Sequence, residues 1–352
     1  MRIGILTFSR THNFGAILQC FALQNVLESF GHNVCVIDYK QPYIEATNRP
    51  FLWSVFVQKF IHPRLLLRYL RSIKGRLQSE KRFDEFKSKF LNCTVACSEK
   101  TLYKDVDGYI VGSDQVWSKK CTLKYDPVFW GMFKRSPSVR LFSYAISSDH
   151  ETIENIPSNL VENIKSTFCN LSLRESNIAN LIKKVSGENV SVNIDPTLLL
   201  PQESWNKIVD SKWANGNYVL VYEARKLQGY EDALLNYATK MSSELNCNVI
   251  NLTYDYSPID FVSLFKCARY VITSSFHGTV FGLVFNKPMS VICLNDGHDA
   301  RYVDLLNKVG AENALMSIGT DMKKSDIDYG VVNKKMLALR TESLTYLKSI
   351  LK

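Results

Sequence analysis

The first 40 residues alternate between two kinds of hydrophobic pattern. The run RIGILTF is typical of a buried strand, and in AILQCFALQNVLESFG the apolar residues recur at helical spacing up to Gly31, a suitable helix end. NVCVIDY then predicts a second strand. A strand, a helix and a strand within this length form a βαβ unit, which requires a parallel sheet.

The same alternation continues along the chain and restarts near residue 200. Strands are predicted by GYIVGS, VRLFSYAIS, NLSLRE and NVSVNID before that point, and by NYVLVYEA, CNVINLTY, RYVITS and MSVICLN after it. A chain of 352 residues is long enough for about two domains. We therefore predict an α/β protein with one Rossmann-like domain over 1–200 and another over 201–352. For the last helix, VNKKMLALRTESLTYLKSILK, we also consider packing against the N-terminal domain.

The net charge of +9 is concentrated in one segment. Between Lys59 and Lys104, twelve basic residues are accompanied by only four acidic ones, so this segment carries +8. It interrupts the α/β pattern and predicts a basic helical insertion over 50–104 in the N-terminal domain. Two interpretations stay open: an insertion packed on its own domain, or a surface that binds anionic lipid headgroups. The many large apolar residues argue against nucleic-acid binding.

Several classes of chemistry are disfavoured by missing motifs. Nine scattered cysteines lack zinc-site spacing, so we expect free thiols, a cytoplasmic location and no metal. No phosphate-binding loop, dinucleotide fingerprint or G-x-S-x-G elbow occurs in the sequence. The N-terminal residues turn polar too early for a secretory signal, and no apolar run is long enough to cross a bilayer.

One loop stands between the predicted strand RYVITS and a markedly apolar helix. In SSFHG, His277 lies at or just before the helix start, and Ser274 and Ser275 are candidate cap residues. Backbone amides and the helix dipole attract an anion there, commonly a phosphate, and disfavour a charged imidazole. His277 is thus a candidate base beside an anion site. The alternative is a histidine that caps or packs against the helix start.

Two further loops follow strands at the edge where open α/β sheets bind ligands. In RTHNFGAILQ, His12 and Asn13 precede a helix, and Gly15 allows a ligand to approach the backbone closely. An ordinary turn is the alternative there. In VGSDQVWS, Asp114 and Trp117 suit sugar recognition, whereas the alternative has Asp114 as a helix cap and Trp117 in the core.

Arginines near strand ends are candidates for holding an anionic ligand. Arg174 ends the predicted strand LSLRE, where a buried guanidinium needs a partner. That partner is either a carboxylate or phosphate of a ligand, or an internal acid, Glu175 or Asp195. Arg225 follows LVYEA in the second half, and Arg301 lies in GHDARYVDLL.

Five pieces of the sequence together resemble the polysaccharide pyruvyl transferases. They are IGILTFSRTHNFGAILQCFALQNVLESFGHNVCVIDY, VGSDQVW, LSLRES, DPTLLL and YVITSSFHGTVFGLVFNKP, in the order expected of the family. The resemblance as a whole runs from about residue 1 to about residue 310. The resemblance implies a glycosyltransferase-B-like fold, with two Rossmann-like domains facing a central cleft. It also implies transfer of the enolpyruvyl group of phosphoenolpyruvate to a sugar as a cyclic ketal, with release of phosphate.

The resemblance also implies roles for individual residues. The family's histidine matches His277, and an arginine that holds the donor matches Arg174. Some members carry an arginine two positions before that histidine, where this chain has Ser275. We therefore expect Arg225 or Arg301 to complete the positive clamp on the donor.

The predicted site has three groups of residues, and the first domain is expected to take the acceptor and the second the donor. The catalytic residue is His277. The donor-binding residues are Arg174, Ser275, Gly278, Arg225 and Arg301. The acceptor-binding residues are His12, Asn13, Gly15, Asp114 and Trp117.

The expected partners follow from this reaction. Phosphoenolpyruvate is a co-substrate, and no other cofactor is required. The acceptor is a sugar of a capsule or exopolysaccharide repeat unit, expected on a lipid-linked oligosaccharide. Such a substrate suits a peripheral position on the inner face of a bacterial plasma membrane, reached through residues 51–104. A nucleotide-sugar-dependent glycosyltransferase and a non-catalytic, membrane-associated binding protein of the same fold are the alternatives.

Overall fold

Two compact units make up the chain. The first contains Met1–Leu199 together with Ser343–Lys352, and the second contains Leu200–Glu342. The computed structural model describes residues 1–48, 63–223, 231–295, 299–318 and 324–352. Each unit contains a parallel sheet with helices between its strands, so the predicted α/β class with two Rossmann-like domains is confirmed.

Among the described residues of the first unit, six short strands alternate with helices. The strands are β1 (Arg2–Leu6), β2 (Asn33–Val36), β3 (Gly108–Val111), β4 (Arg140–Ser143), β5 (Leu171–Leu173) and β6 (Val190–Val192). The helices are α1 (Phe14–Ser29), α2 (Pro42–Asn48), α3 (Pro63–Phe90), α4 (Lys119–Thr122), α5 (His150–Glu154), α6 (Ser158–Thr167), α7 (Ser176–Ser186) and α8 (Pro196–Leu199). The spatial order is β2-β1-β3-β4, and single bridges join β4 and the residues after it to the parallel pair β5-β6.

In the part of the second unit that the structure describes, five parallel strands form the sheet. They are β7 (Tyr218–Tyr222), β8 (Asn248–Asn251), β9 (Tyr270–Thr273), β10 (Met289–Cys293) and β11 (Leu315–Ser317), in the order β11-β10-β9-β7-β8. The helices are α9 (Gln202–Asn206), α10 (Glu231–Glu244), α11 (Pro258–Cys267), α12 (Phe276–Val284), α13 (Ala300–Val309) and α14 (Tyr329–Ile350). The central strands β7 and β9 are buried throughout, as expected for a parallel sheet covered on both faces.

Helix α14 ends in the first unit. From Ser343 onward its residues belong to that unit, where Ser343 Oγ accepts a hydrogen bond from the amide of Ile194 at 3.1 Å. The hydroxyl of Tyr346 donates to the carbonyl of Ser143, at the end of β4. These contacts fix the end of the chain on the sheet of the first unit.

The last turns of α3 pack on α1 through an aromatic stripe. The Phe83 ring stacks on Phe14 with centroids 5.3 Å apart, and Phe86 and Phe90 both meet Phe21 edge-on at 5.9 Å. Aromatic pairs of this kind contribute about 0.5–1.5 kcal/mol each beyond the area they bury. This part of the basic insertion is therefore packed on its own domain.

The rest of the basic insertion is described only in part. Its residues 50–62 lie outside the described residues, and α3 begins at Pro63. No helix in the described part of the chain combines the length and the hydropathy needed for a membrane span.

Candidate active site

Each sheet has one point at which the strand order reverses. In the first unit the reversal lies between β1 and β3, and in the second between β7 and β9. Open α/β sheets bind ligands beyond the carboxyl ends of the strands at such points. The loops after β1, β3 and β9 are those with His12, Asp114 and His277, and the loop after β7 contains Arg225. Arg225 itself lies outside the described residues.

Helix α12 starts directly after β9. Ser275 is its N-cap, with extended backbone angles, and its Oγ accepts from the amide of Gly278 at 3.4 Å. His277 is the second residue of the helix. Amides at the first helical positions have no acceptor within their own helix. The α12 start therefore offers an anion both donor groups and the positive end of the helix dipole.

The close approach of α12 to β9 requires the glycine at position 278. A Cβ built there would lie 2.1 Å from Thr273 Oγ1 and 3.1 Å from a ring carbon of Tyr222. Thr273 Oγ1 in turn donates to the carbonyl of Tyr222 at 2.8 Å and accepts from the amide of Ser275 at 3.1 Å. The Thr273 hydroxyl thus ties the first turn of α12 to β7 and β9, and Gly278 leaves the space that this close approach needs.

His277 is mostly buried at this helix start. It is 8% exposed, its Nε2 is covered, and its ring lies 5.1 Å from the neighbouring Phe276 ring in an edge-to-face arrangement. The preceding residue, Ser274, is 1% exposed, and its Oγ has no hydrogen-bond partner within the described ranges. Since buried hydroxyls are normally hydrogen-bonded, Ser274 is a candidate donor to a ligand.

Tyr222 is a site residue that the sequence reasoning missed. Its hydroxyl interacts with the side chains of Ser275 and Tyr254, and its ring packs edge-on against Phe261 at 5.1 Å. Burial raises the pKa of Tyr222 well above its usual range, so the hydroxyl stays neutral. The signal in the sequence is slight: a tyrosine ends a predicted strand, and nothing local indicates that the strand pairs with β9.

Arg301 approaches the same helix start from α13. Its guanidinium carbon lies 5.8 Å from the centre of the Phe276 ring, within the range of a cation–π contact. Phe276 is the first residue of α12, so this arginine lies close to the turn that contains Ser275 and His277. Of the predicted donor-binding residues, the second unit thus brings together Ser275, Gly278 and Arg301.

Arg174 lies in the first unit and has an internal acid as its partner. Its Nη2 is 3.0 Å from Asp195 Oδ2 and 2.5 Å from Ser113 Oγ, and both ion-paired side chains are almost fully buried. Asp195 also accepts from the amide and hydroxyl of Thr197. Of the two alternatives for Arg174, the internal ion pair is the one observed, and it is formed with Asp195. Glu175 instead accepts a hydrogen bond from Ser147.

The loop after β3 has an unusual backbone. Gly112 has φ 110°, and a Cβ there would lie 2.4 Å from the carbonyl oxygen of Tyr144. Asp114 has φ 70° and accepts from the amide of Gln115 at 2.8 Å. The half-buried Asp114 carboxylate therefore stands at the switch point of the first sheet.

Trp117 is a core residue. It is fully buried and stacked on Trp130 with centroids 4.3 Å apart, and its Nε1 donates to the carbonyl of Phe129 at 2.9 Å. Both the ring and the indole nitrogen are thus already used inside the domain. This arrangement is the core alternative considered for Trp117, so we leave it out of the proposed acceptor site.

The three residues predicted in the β1 loop have different positions. Asn13 caps α1, accepting from the amide of Ala16 at 3.1 Å, and Gly15 is a buried residue of the first helical turn. The His12 ring lies 5.6 Å from Phe83, and burial lowers the pKa of His12. Only His12 therefore keeps a side chain that is not already engaged in forming the helix start.

The described ranges contain no group of three histidine, cysteine, aspartate or glutamate side chains that could hold a metal ion. The groups at the α12 start are hydroxyls, backbone amides, the His277 imidazole and the Arg301 guanidinium.

The family model described as polysaccharide pyruvyl transferase matches residues 13–292. The chain belongs to the polysaccharide pyruvyl transferase family. The matched range begins at Asn13 and includes Asp114, Arg174, Arg225 and His277, whereas His12 lies just before it. Arg301 lies beyond its end.

Members of the pyruvyl transferase family are transferases, and the chain is also similar to solved structures. Spinosyn rhamnosyltransferase with thymidine diphosphate is 12% identical, with a TM-score of 0.43 and complete coverage of both chains. A UDP-GlcNAc 2-epimerase from Methanocaldococcus jannaschii is 12% identical, with a TM-score of 0.44 over 96% of this chain and 92% of that chain. The putative UDP-N-acetylglucosamine 2-epimerase from Listeria monocytogenes is 9% identical, with a TM-score of 0.45 over 97% and 96%. No match was found among the curated proteins. The predicted cleft between two domains stays a prediction.

Proposed function

We propose that this pyruvyl transferase moves the enolpyruvyl group of phosphoenolpyruvate onto two hydroxyls of one sugar, forming a cyclic pyruvate ketal. The observation that carries the proposal is the start of α12, where a capped helix presents its first amides beside His277. Helix starts are common phosphate sites, and family membership makes a pyruvyl donor the expected anion.

In this proposal the phosphate of the donor binds at the amides of α12. Ser274 Oγ, which has no other partner in the described part of the chain, donates to a phosphate oxygen. The donor carboxylate pairs with a guanidinium, for which Arg301 is the nearest described candidate and Arg225 the predicted one. Since this chain has Ser275 where some family members have arginine, the positive charge comes from α13 or from the β7 loop.

The chemistry needs one base and one acid. We assign to His277 the removal of a proton from the attacking sugar hydroxyl as its oxygen bonds to the central carbon of the donor. The methylene carbon gains a proton and becomes the methyl group. The second hydroxyl then adds to the same central carbon, its proton leaves with the phosphate, and the carbon–oxygen bond to phosphate breaks. Two hydroxyl protons are thus balanced by one new methyl hydrogen and one proton on the released phosphate.

The first unit contributes the acceptor side of the proposed site. His12 and the Asp114 carboxylate lie in the loops that follow the adjacent strands β1 and β3. A carboxylate and an imidazole are suitable partners for sugar hydroxyls. We assign Arg174 a supporting role, because its guanidinium holds Ser113 Oγ, one residue before Asp114.

We further propose that the acceptor is a sugar of a cell-surface polysaccharide repeat unit on a lipid carrier, modified at the cytoplasmic face of the plasma membrane. The reaction requires phosphoenolpyruvate as co-substrate and, in this scheme, no metal. The basic α3 helix, in the same unit as the acceptor loops, supports the assignment of a membrane-bound acceptor.

Phosphate release tests the proposal. The protein is incubated with phosphoenolpyruvate and a panel of galactose-terminated acceptors, and inorganic phosphate and the ketal are measured. We expect phosphate release only in the presence of an acceptor. Thermal stabilisation by nucleoside diphosphates but not by phosphoenolpyruvate, without phosphate release, would instead indicate a nucleotide-sugar glycosyltransferase. Binding without turnover of either donor would indicate a non-catalytic protein.

A further inference from the structure

Helices α1 and α3 run side by side in the same direction. Phe83 of α3 contacts Phe14, the first residue of α1, and one stretch further on Phe90 contacts Phe21. The carbonyl of Phe90 also accepts from Gln24 Nε2 at 3.3 Å. Residues later in α1 therefore contact residues later in α3, so the two helices are parallel.

This register makes most of α3 extend past the sheet. In a βαβ unit the helix after a strand starts at the carboxyl edge of the sheet, so Phe14 marks that edge. A contact of Lys87 shows that this part of α3 lies at the carboxyl edge of the sheet. The Lys87 Nζ is 3.6 Å from Oδ1 of Asp38, which follows the end of β2. The residues of α3 before Phe83 thus continue beyond the edge that carries the proposed acceptor loops. We call residues 63–79 the overhanging arm, which at about 1.5 Å per residue is about 25 Å long.

The overhanging arm is strongly cationic. Its sequence contains five basic residues, Arg64, Arg68, Arg71, Lys74 and Arg76, and no acidic residue. Lys74 and Arg76 are exposed in the structure. The first acidic side chain after the arm is Glu80, and from there to Phe90 acids and bases nearly balance. The charge is therefore concentrated on the part of α3 that lies past the sheet.

An apolar stripe accompanies the charge. Leucine or isoleucine occurs at positions 66, 70, 73 and 77, a spacing that follows one face of a helix. Leu77 is 50% exposed, and Ile73 is half-buried. Helices with a leucine stripe flanked by lysine and arginine bind at lipid interfaces, where the apolar side chains enter the acyl boundary and the cations meet headgroups. A surface that tracks only nucleic-acid phosphates does not need the exposed leucines.

We propose that the overhanging arm binds the surface of an anionic lipid bilayer and thereby holds the carboxyl edge of the first sheet toward the membrane. The partner is the bilayer itself, not a soluble phosphate or a nucleic acid. The functional role of this membrane contact rests on the proposed function, in which the acceptor sugar is linked to a lipid and therefore lies next to the membrane. The binding itself is independent of any catalytic step.

Vesicle co-sedimentation tests the inference. The wild-type protein is mixed with vesicles of phosphatidylglycerol and phosphatidylcholine, or of phosphatidylcholine alone, and we expect binding only to the anionic vesicles. Lys74→Gln with Arg76→Gln removes two exposed cations. Each is worth about 1 kcal/mol near an anionic surface, so the variant should bind roughly 30-fold more weakly. The matched control is Lys183→Gln with Lys184→Gln, two exposed lysines of α7 in the same unit, and it should bind within twofold of the wild type.

A third variant tests the apolar part of the contact. Leu77→Ser should weaken vesicle binding severalfold while leaving helix content unchanged by circular dichroism. The inference is overturned if anionic vesicles do not bind, if Lys74→Gln with Arg76→Gln binds like the wild type, or if duplex DNA or inorganic pyrophosphate at equal ionic strength removes the protein from vesicles. Phosphate release with a soluble acceptor should be the same for all three variants. Loss of lipid binding with intact turnover overturns only this inference, and lipid binding without turnover overturns only the proposed function.

Discussion

Thr273 Oγ1, at the end of β9, donates a hydrogen bond to the carbonyl of Tyr222, at the end of the neighbouring strand β7. The same hydroxyl accepts a hydrogen bond from the amide of Ser275, the residue that caps α12. One residue thus links the end of β7 to the cap of the helix that holds His277. The electrostatic site at the start of α12 is therefore built by pairing of β7 with β9, not by the local sequence alone.

Replacing Tyr222 by phenylalanine should affect donor binding more than chemistry. The ring packing on Phe261 is kept, while the polar interaction of the hydroxyl with the Ser275 side chain is lost at a cost of about 1 kcal/mol. We expect the KM for phosphoenolpyruvate to rise about five- to tenfold and kcat to change less than threefold, measured by phosphate release. Tyr237→Phe is the control, because that hydroxyl bonds Ser290 in the same unit away from α12. Equal effects of the two variants would contradict the positioning role of Tyr222.

Removal of the α12 cap should separate stability from ligand binding. Ser275→Ala loses the bond to the Gly278 amide and should lower the free energy of unfolding by about 1 kcal/mol. Ser257→Ala is a matched control, because Ser257 caps α11 in the same way and should cost a similar amount. Thermal stabilisation by phosphoenolpyruvate should shrink in Ser275→Ala and persist in Ser257→Ala. A full ligand response in both variants would argue against an anion at the α12 start.

The glycine at position 278 should tolerate no side chain. In Gly278→Ala the new Cβ would meet Thr273 Oγ1 at 2.1 Å, and that hydroxyl is already held by its hydrogen bond to the Tyr222 carbonyl. We expect a loss of about 1–3 kcal/mol in urea unfolding. Gly75→Ala, in the interior of α3 with nothing within 4 Å, should instead gain up to about 1 kcal/mol. A neutral Gly278→Ala would mean that α12 does not pack so closely on β9.

The buried carboxyl of Asp126 should make the stability of the protein depend on pH in a definite direction. Asp126 is 1% exposed and accepts hydrogen bonds from Tyr39, Gln41 and the amide of Val128. Burial raises the pKa of Asp126, and these bonds offset only part of the shift. Its contribution to stability is therefore complete below the unfolded-state pKa of about 3.9 and is lost as the pH rises through the folded-state pKa. The free energy of unfolding of the wild type minus that of Asp126→Asn should fall between pH 4 and pH 7 in urea titrations.

For Asp260, the same measurement should show the opposite dependence on pH. Burial alone would raise the pKa of Asp260, but the bonds from Lys212 at 2.6 Å, from the Ser257 amide and from Trp213 outweigh it and lower the pKa. Its contribution is present above the unfolded-state pKa and lost as the pH falls through the folded-state value. The difference between the wild type and Asp260→Asn should therefore shrink toward acid pH. If both free-energy differences changed in the same direction between pH 4 and pH 7, the environments assigned to Asp126 and Asp260 would be contradicted.

The features that could be predicted from the sequence were mainly those determined by residues close together in the chain. The α12 start was predictable because the serines, the histidine and the apolar helix are adjacent in the chain. The hydrogen bond from Thr273 Oγ1 to the Tyr222 carbonyl was not, since it depends on residues 51 positions apart becoming neighbours through the pairing of β7 with β9. Trp117 shows a second limit: an aromatic after a polar loop fits both a sugar platform and a core, and only the stacking on Trp130 decides. The cost of burying a guanidinium predicted a partner for Arg174, either an anionic group of a ligand or an internal acid, and in the fold Asp195 is paired with it.

The central claim concerns the imidazole at the mouth of α12, and phosphate release by His277→Ala measures it most directly. His150→Ala, at an exposed histidine of α5, is the control and should keep wild-type activity. With phosphoenolpyruvate and a competent acceptor, we expect kcat of His277→Ala to fall by about 10²–10⁴-fold, as for loss of a general base, while the variant still unfolds cooperatively. Wild-type kcat in His277→Ala would contradict the account.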